Sequence, residues 1–251
     1  MSDRAPRPAL PDVTLVAATS VAIEPTLQAL RASMREASFG EVLLLSDRPP
    51  PIVVEGIGWR RIDPLGSRID YSRFMLGELA AHIRTTHALC IQWDGFVTNA
   101  GAWDPGFLDF DFIGAPWPHF GDGYNVGNGG FSLRSRRLLE KCRDLPFDGS
   151  HMEDVVIGRI YRDRLEKEGI RFAPEQVARR FSYERTAPTG GEFGFHGCFN
   201  LFRHLGPDDA LRLFRSLERG MLARSERLEL LRWALVNGRA GIALEMLRRL
   251  L

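Results

Sequence analysis

Apolar and polar positions along the first half of the chain switch repeatedly between two periods. Residues 13–18, Val-Thr-Leu-Val-Ala-Ala, form an apolar run of strand length, and residues 24–35 carry apolar side chains at helical spacing with Pro25 placed for a first turn. A second run, residues 41–45, ends in Ser46 and Asp47 before Pro49, Pro50 and Pro51 break it, and residues 57–62 predict another short strand. Residues 71–85 predict a helix whose Phe74, Met75, Leu79 and Ile83 share a face. That helix leads into the buried run Ala88, Leu89, Cys90, Ile91. Strand and helix in alternation predict an α/β domain with a mainly parallel central sheet flanked by helices, at least three strands converging on one edge.

The run at 88–91 is followed by Gln92, Trp93, Asp94, Gly95 and Phe96. An acid at a strand's carboxyl end stands where open α/β sheets bind ligands, so Asp94 is positioned to meet a metal ion or a polar substrate. From 98 to 128 the periodicity gives way to Gly, Pro, Trp and Asp, including Trp103, Trp117 and Tyr124. Long loops of this kind are usually functional, and their aromatic faces suit sugar or base stacking. A packed loop whose indoles cap the core explains any single aromatic equally well.

Three later segments carry further chemistry. Val126 to Arg134 holds Gly127, Gly129 and Gly130 beside Asn128, which lets backbone approach a ligand closely. It contains neither a GxxxxGKS phosphate loop nor a GxGxxG spacing, so nucleotide triphosphatase and Rossmann dinucleotide readings gain no support. Ser150 and Glu153 have the spacing of a capping box at the start of a helix running towards Glu168. Glu153 thereby has a structural explanation, and Asp154 is the better candidate for a general base. His196 lies in a glycine-flanked loop, free to join a strand-end Asp on a metal, and mixed oxygen and nitrogen ligation suits Mn²⁺. The other five histidines have no such setting.

Composition bounds these readings. A chain of 251 residues, 44% hydrophobic and 26% charged, can bury one substantial core with a small appendage. A formal net charge of +1 argues against sequence-independent nucleic-acid binding. Only Lys141 and Lys167 among 33 basic residues are lysine, which discounts isolated arginines as signals. Cys90, Cys142 and Cys198 form no CxxC pair, so a reducing compartment is expected and neither a zinc knuckle nor a disulfide framework. The polar start of the chain predicts no signal peptide, and no apolar run predicts a membrane span, so a cytoplasmic protein is expected. Residues 205–251 read as a separate helical tail, with nine Arg against six Asp and Glu, a surplus of three positive charges. Docking on the main domain at 1–204 is the expected use of that tail. Pairing with a second chain, or peripheral contact with an anionic inner-membrane surface, is compatible with it.

Taken in order, the strings IQWDGF, FIGAPW, VGNGGFSLRS, EDVVI and FGFHG across residues 13–200 resemble the nucleotide-sugar glycosyltransferases of the GT-A fold, and within them an uncharacterised bacterial branch. The resemblance implies a GT-A-like domain that moves a sugar from a nucleotide donor, UDP-sugar first, to a glycan acceptor with inversion. It implies that Asp94 corresponds to the last acid of a DxD motif holding a divalent cation, Mn²⁺ or Mg²⁺, and that His196 completes the metal site. Asp154 corresponds to the base and Glu153 to a residue that orients the acceptor. Thr19, Ser72, Gln92, Asp94, Asn128, Gly129 and Gly130 are the donor-binding candidates. Gln92 departs from the pattern, because an amide replaces the first acid and adds no charge. The cation is therefore either held more weakly or replaced, with Arg134 as the substitute charge on the diphosphate. A binding module that keeps the cleft without turnover is the alternative, and retention of Asp94 and Asp154 argues against it.

Overall fold

The carboxyl edge of a six-stranded sheet is where this chain gathers its polar side chains. The structure is a computed structural model, describing residues 7–218 and 220–251. The polar stretch 1–6 and Arg219 of the basic tail lie outside the described residues. The chain divides into two units, Met1–His196 and Gly197–Leu251. The division expected after residue 204 falls inside the second of them, just beyond the turn Cys198–Arg203.

In the first unit the strands are β1 (Ala9–Ala18), β2 (Ser38–Ser46), β3 (Gly58–Arg61), β4 (His87–Ile91), β5 (Phe96–Val97), β6 (Phe112–Gly114), β7 (Phe131–Ser135), β8 (Ser182–Tyr183) and β9 (Gly194–Phe195). The main sheet has the order β3-β2-β1-β4-β7-β6, parallel through β4 and antiparallel at β7 and β6. It is the mostly parallel, helix-flanked α/β sheet that the alternating pattern predicts. β1 pairs on both sides, Val16 with Leu43 and with Cys90, which is why its inner residues are apolar without alternation. It begins four residues before the apolar run, because Leu10 is buried and a register shift between Leu10 and Thr14 absorbs Pro11 and Asp12. The chain runs outward from β1 to β3 and returns to β4 on the other side of β1. The carboxyl ends of β1 and β4 thus flank a topological switch point, where a crevice forms.

Helix α1 (Ile23–Glu36) has Glu24 in its first turn and Arg35 in its last, and it buries Ile23, Leu27 and Leu30 on one side. Cutting Leu30 to Ala would cost about 2–5 kcal/mol by lost burial and a cavity. Helix α2 (Arg68–Gly77) starts and stops earlier than the periodicity predicts. Ser67 Oγ caps it by accepting from Asp70 N at 3.1 Å. Leu79 and Ile83 remain buried, carried by the tighter turn Leu79–His82, because threefold and 3.6-fold repeats place nearly the same residues inward. Phe74, Leu79 and Ile83 pack with Val16, Leu43, Cys90 and Leu139 of α3 (Arg136–Cys142) into one core cluster.

A second, three-stranded sheet has the order β5-β9-β8. Phe96 opposes Phe195, so the residues just before β5 lie beside those just after β9. The helical stretch from 153 consists of α4 (Glu153–Val155), a π turn at Val156–Ile160 and α5 (Arg162–Lys167), followed by α6 (Glu175–Phe181). The second unit holds α7 (Pro207–Ser216), α8 (Arg224–Val236) and α9 (Ala240–Leu250), with Gly238 at φ +65° in the turn before α9. Phe202 stacks on Trp233 at 3.7 Å between ring centres. Among the described residues, no helix is long and apolar enough to cross a membrane.

Candidate functional site

Asp94 sits in the short turn that links the two sheets. β4 ends at Ile91, Gln92 N continues the ladder to Gly130 O at 3.0 Å, and Gly95 N closes the turn on Gln92 O at 3.2 Å. The carboxylate is buried, and its Oδ1 has no hydrogen-bond partner. His196 reaches it from the end of β9, with Nε2 3.4 Å from Asp94 Oδ1 and 3.3 Å from Gln92 Oε1. The first separation suits an ion pair. On the other side of the ring, Nδ1 donates to Glu184 Oε1 at 3.1 Å. Burial works against charge on His196, but Asp94 and Glu184 overcome it and hold the imidazolium well above its ordinary pKa.

A divalent cation placed here would draw on Asp94 Oδ1, Gln92 Oε1 and, once the ring has given up its Nε2 proton, His196 Nε2. Asp94 Oδ1 and Gln92 Oε1 stand 3.4 and 3.3 Å from His196 Nε2, near the roughly 3 Å edges that ligands show around a small cation. Glu184 holds the far nitrogen as a carboxylate does behind a metal-bound imidazole. Among the described residues no group of three or more His, Cys, Asp and Glu could hold a metal ion.

The acid pair at 153 and 154 divides by direction. Asp154 is half-buried, and its Oδ2 accepts from Gly129 N at 3.2 Å while Oδ1 accepts from Val155 N at 2.8 Å. Burial, with the neighbouring Glu153 charge, raises its pKa to about 7 against the lowering effect of the two amides and Arg134. Glu153 turns the other way, into the protein. Its Oε1 accepts from Arg134 Nη2 at 3.1 Å, its Oε2 from Ser72 Oγ at 3.2 Å, and its own amide donates to Ser72 Oγ at 3.1 Å. The capping box expected from Ser150 and Glu153 does not form: Ser150 bonds Asp148, and the cap position is Met152. Arg134 is also not free to neutralise a ligand's charge. It is fully buried, with Nε on Ser132 Oγ at 3.0 Å and Nη2 on Glu153.

The glycine turn joins both halves of the site. A Cβ on Gly130 would overlap the His196 imidazole, and one on Gly129 would come within 2.7 Å of Glu153 Oε1 and 2.9 Å of Asp154 Cβ. These glycines admit the protein's own site residues. Gly127 does the same for Trp117, whose indole is buried against it, so that aromatic is core. Asn128 is buried with Oδ1 unpartnered. Thr19 follows β1 on the same edge, where its Oγ1 accepts from Ala22 N at 3.1 Å. Ser72 lies beneath the site, its hydroxyl taken up by Glu153.

Two neighbours carried no sequence signal of a role here. Glu184 follows a two-residue strand that periodicity cannot detect. Tyr71, half-buried on α2, bonds the Gln92 side chain, and burial together with Glu153 pushes its phenol far above the ordinary range.

The fold and this edge define an α/β protein with polar side chains gathered at the switch point of a mostly parallel sheet. The chain belongs to a family of proteins of unknown function, DUF5672, which it matches over residues 60–196, more than half its length. That span contains every site residue described above except Thr19. No curated protein matches the chain in sequence. Among solved structures it is similar to a CMP:2-keto-3-deoxy-manno-octonic acid synthetase complexed with CTP, at 12% identity and a TM-score of 0.40, covering 66% of this chain and 89% of that one. So distant a likeness says nothing of activity.

Proposed function

We propose that this chain is a GT-A-like glycosyltransferase that moves a sugar from a nucleoside-diphosphate donor, UDP-sugar first, to a saccharide acceptor. The observation that carries the reading is the Gly129–Gly130 dipeptide. Gly129 donates to Asp154, and Gly130 lies under His196. Adjacent residues of one turn therefore touch a carboxyl whose pKa lies near neutrality and the imidazole that faces Asp94 and Gln92. The parallel strands β3-β2-β1-β4 with antiparallel β7 beside β4 support the fold half of the reading.

In this reading Asp154 accepts the proton of an acceptor hydroxyl, and its pKa of about 7 leaves it both basic and available at neutral pH. The acceptor oxygen attacks the anomeric carbon opposite the diphosphate, the carbon–oxygen bond to phosphate breaks, and configuration inverts. Asp94, Gln92 and His196 would hold a Mn²⁺ or Mg²⁺ ion, which when bound neutralises charge on the departing diphosphate. Glu184 aims the imidazole. The unpartnered Asn128 Oδ1 offers an acceptor to a sugar hydroxyl.

Thermal-shift measurements with UDP-, GDP-, CMP- and dTDP-sugars, with and without Mn²⁺, test donor binding, since a ligand of the native state raises the melting temperature. Donor hydrolysis or transfer that vanishes in Asp154→Asn supports the enzyme. Donor binding without turnover in the native chain leaves the binding-module reading. No shift with any nucleotide sugar overturns both.

A further inference from the structure

The pair Glu153 and Arg134 is costly to bury and touches no open space, which asks for a purpose. Replacing such a pair by apolar side chains is often neutral or favourable, so a buried pair is weak evidence for a stabilising role. Its surroundings are specific. Arg134 Nη2 contacts Gly129 O at 3.4 Å as well as Glu153, Ser132 Oγ donates to the same carbonyl at 3.0 Å, and the amide of Gly129 holds Asp154. One residue, through its carbonyl and its amide, therefore connects the buried pair on one side to the Asp154 carboxylate on the other. Ser72 on α2 fixes Glu153 by both its side chain and its amide. The first turn of α4 has no side-chain cap, so these contacts take over the orienting job.

We propose that Glu153 is a positioning residue for Asp154: clasped by Arg134 and Ser72, it aims the first turn of α4 at Gly129 and sets a fixed negative charge behind the Asp154 carboxylate. It binds no acceptor, because both its oxygens are committed inside the protein. The proposal rests on the reading of Asp154 as the base only for its consequence in catalysis. The charged and titratable groups around Asp154 are Glu153 on its own helix, Arg134 on β7 and Tyr71 on α2, which faces Glu153 and Arg134. Glu153 favours the protonated form and Arg134 opposes it, in line with the direction of the Asp154 shift.

The test is the ¹³C-carboxyl NMR titration of Asp154, which needs no turnover, in the wild type and in Glu153→Gln. The glutamine keeps an acceptor for Arg134, reverses the Ser72 bond so that its amide nitrogen donates to Ser72 Oγ, and removes the charge. The Asp154 midpoint is expected to fall by on the order of one pH unit, as when a like charge is taken from beside a carboxylate. In turnover, the acid limb of the pH profile should move down by the same amount, with KM for the acceptor unchanged. An unmoved midpoint in a folded variant overturns the proposal, as does a rise in acceptor KM alone. If Glu153→Gln does not fold, the wild-type titration decides. A midpoint near neutrality supports the proposal, and one in the ordinary carboxylate range overturns it. A shifted midpoint in a protein that transfers no sugar would retire the transferase reading and leave this one standing.

Discussion

Replacing Asp154 with Asn should make the protein more stable at alkaline pH while it removes the proposed base. The folded carboxyl keeps its proton up to about pH 7, whereas in an unfolded chain it releases it near the ordinary value of 3.8. Whatever stability this group contributes is therefore present below the lower value and lost as pH rises through the higher one. At about 1.4 kcal/mol for each tenfold change, moving the pKa from 3.8 to about 7 caps the cost of the ionised side chain at on the order of 4 kcal/mol. Partial contact with water lowers that figure, and an Asn can satisfy only one of the two amides, a loss of about 1 kcal/mol. A net gain of roughly 1–2 kcal/mol should remain, which for a chain of this size raises the melting temperature by about 2–8 °C. Thermal denaturation followed by circular dichroism at about pH 8 and about pH 4 reads it, with the gain absent or reversed at the lower pH. Equal destabilisation at both pH values would refute the raised pKa. Sugar transfer should fall by about 10²–10⁴, the usual worth of a positioned base.

Asp94→Ala should abolish Mn²⁺ binding measured by calorimetry on the donor-free protein, and affinity within twofold of wild type would rule out the proposed cation pocket. Glu184→Gln should leave the fold intact and weaken Mn²⁺ binding by about 10–100-fold through a loosened imidazole; an unchanged affinity would make Glu184 incidental. Gly130→Ala should destabilise by about 1–3 kcal/mol in urea unfolding, since the methyl must displace His196. An unchanged unfolding midpoint would mean that the turn has more room than its geometry shows.

The central parallel strands β1, β2 and β4 were legible because their inner residues are buried on both faces, which leaves an unbroken apolar run such as 42–45 or 88–91 as the trace. Asp94 stood out because it follows such a run beside glycine, and His196 because it lies in a glycine-flanked loop after an irregular, polar stretch. Residues whose environment comes from distant chain did not declare themselves. Glu184 is defined by a pairing of two short strands, Ser182 with Gly194 and Tyr183 with Phe195, too brief to leave a period. The Ser150 and Glu153 spacing suggested a local cap, and a hydroxyl 81 positions away, that of Ser72, took the bond instead. Local hydrogen-bond signatures compete with tertiary partners, and a buried Arg134 tips that competition by giving Glu153 a charge to face.

The glycines at 129 and 130 show how motif reading can assign space to a ligand that the protein's own side chains fill. Sequence reasoning treats a glycine cluster as clearance for a ligand's approach. Here the clearance is taken by Glu153, Asp154 and His196, which crowd onto two consecutive residues from opposite sides. Any side chain at either position would push the proposed base and the imidazole apart, whatever ligand the crevice receives. The distance between proton acceptor and cation pocket is thus set by backbone, which cannot drift as a long side chain can. Such rigidity is what a displacement reaction requires, since its attacking and departing atoms must lie in line about a single carbon.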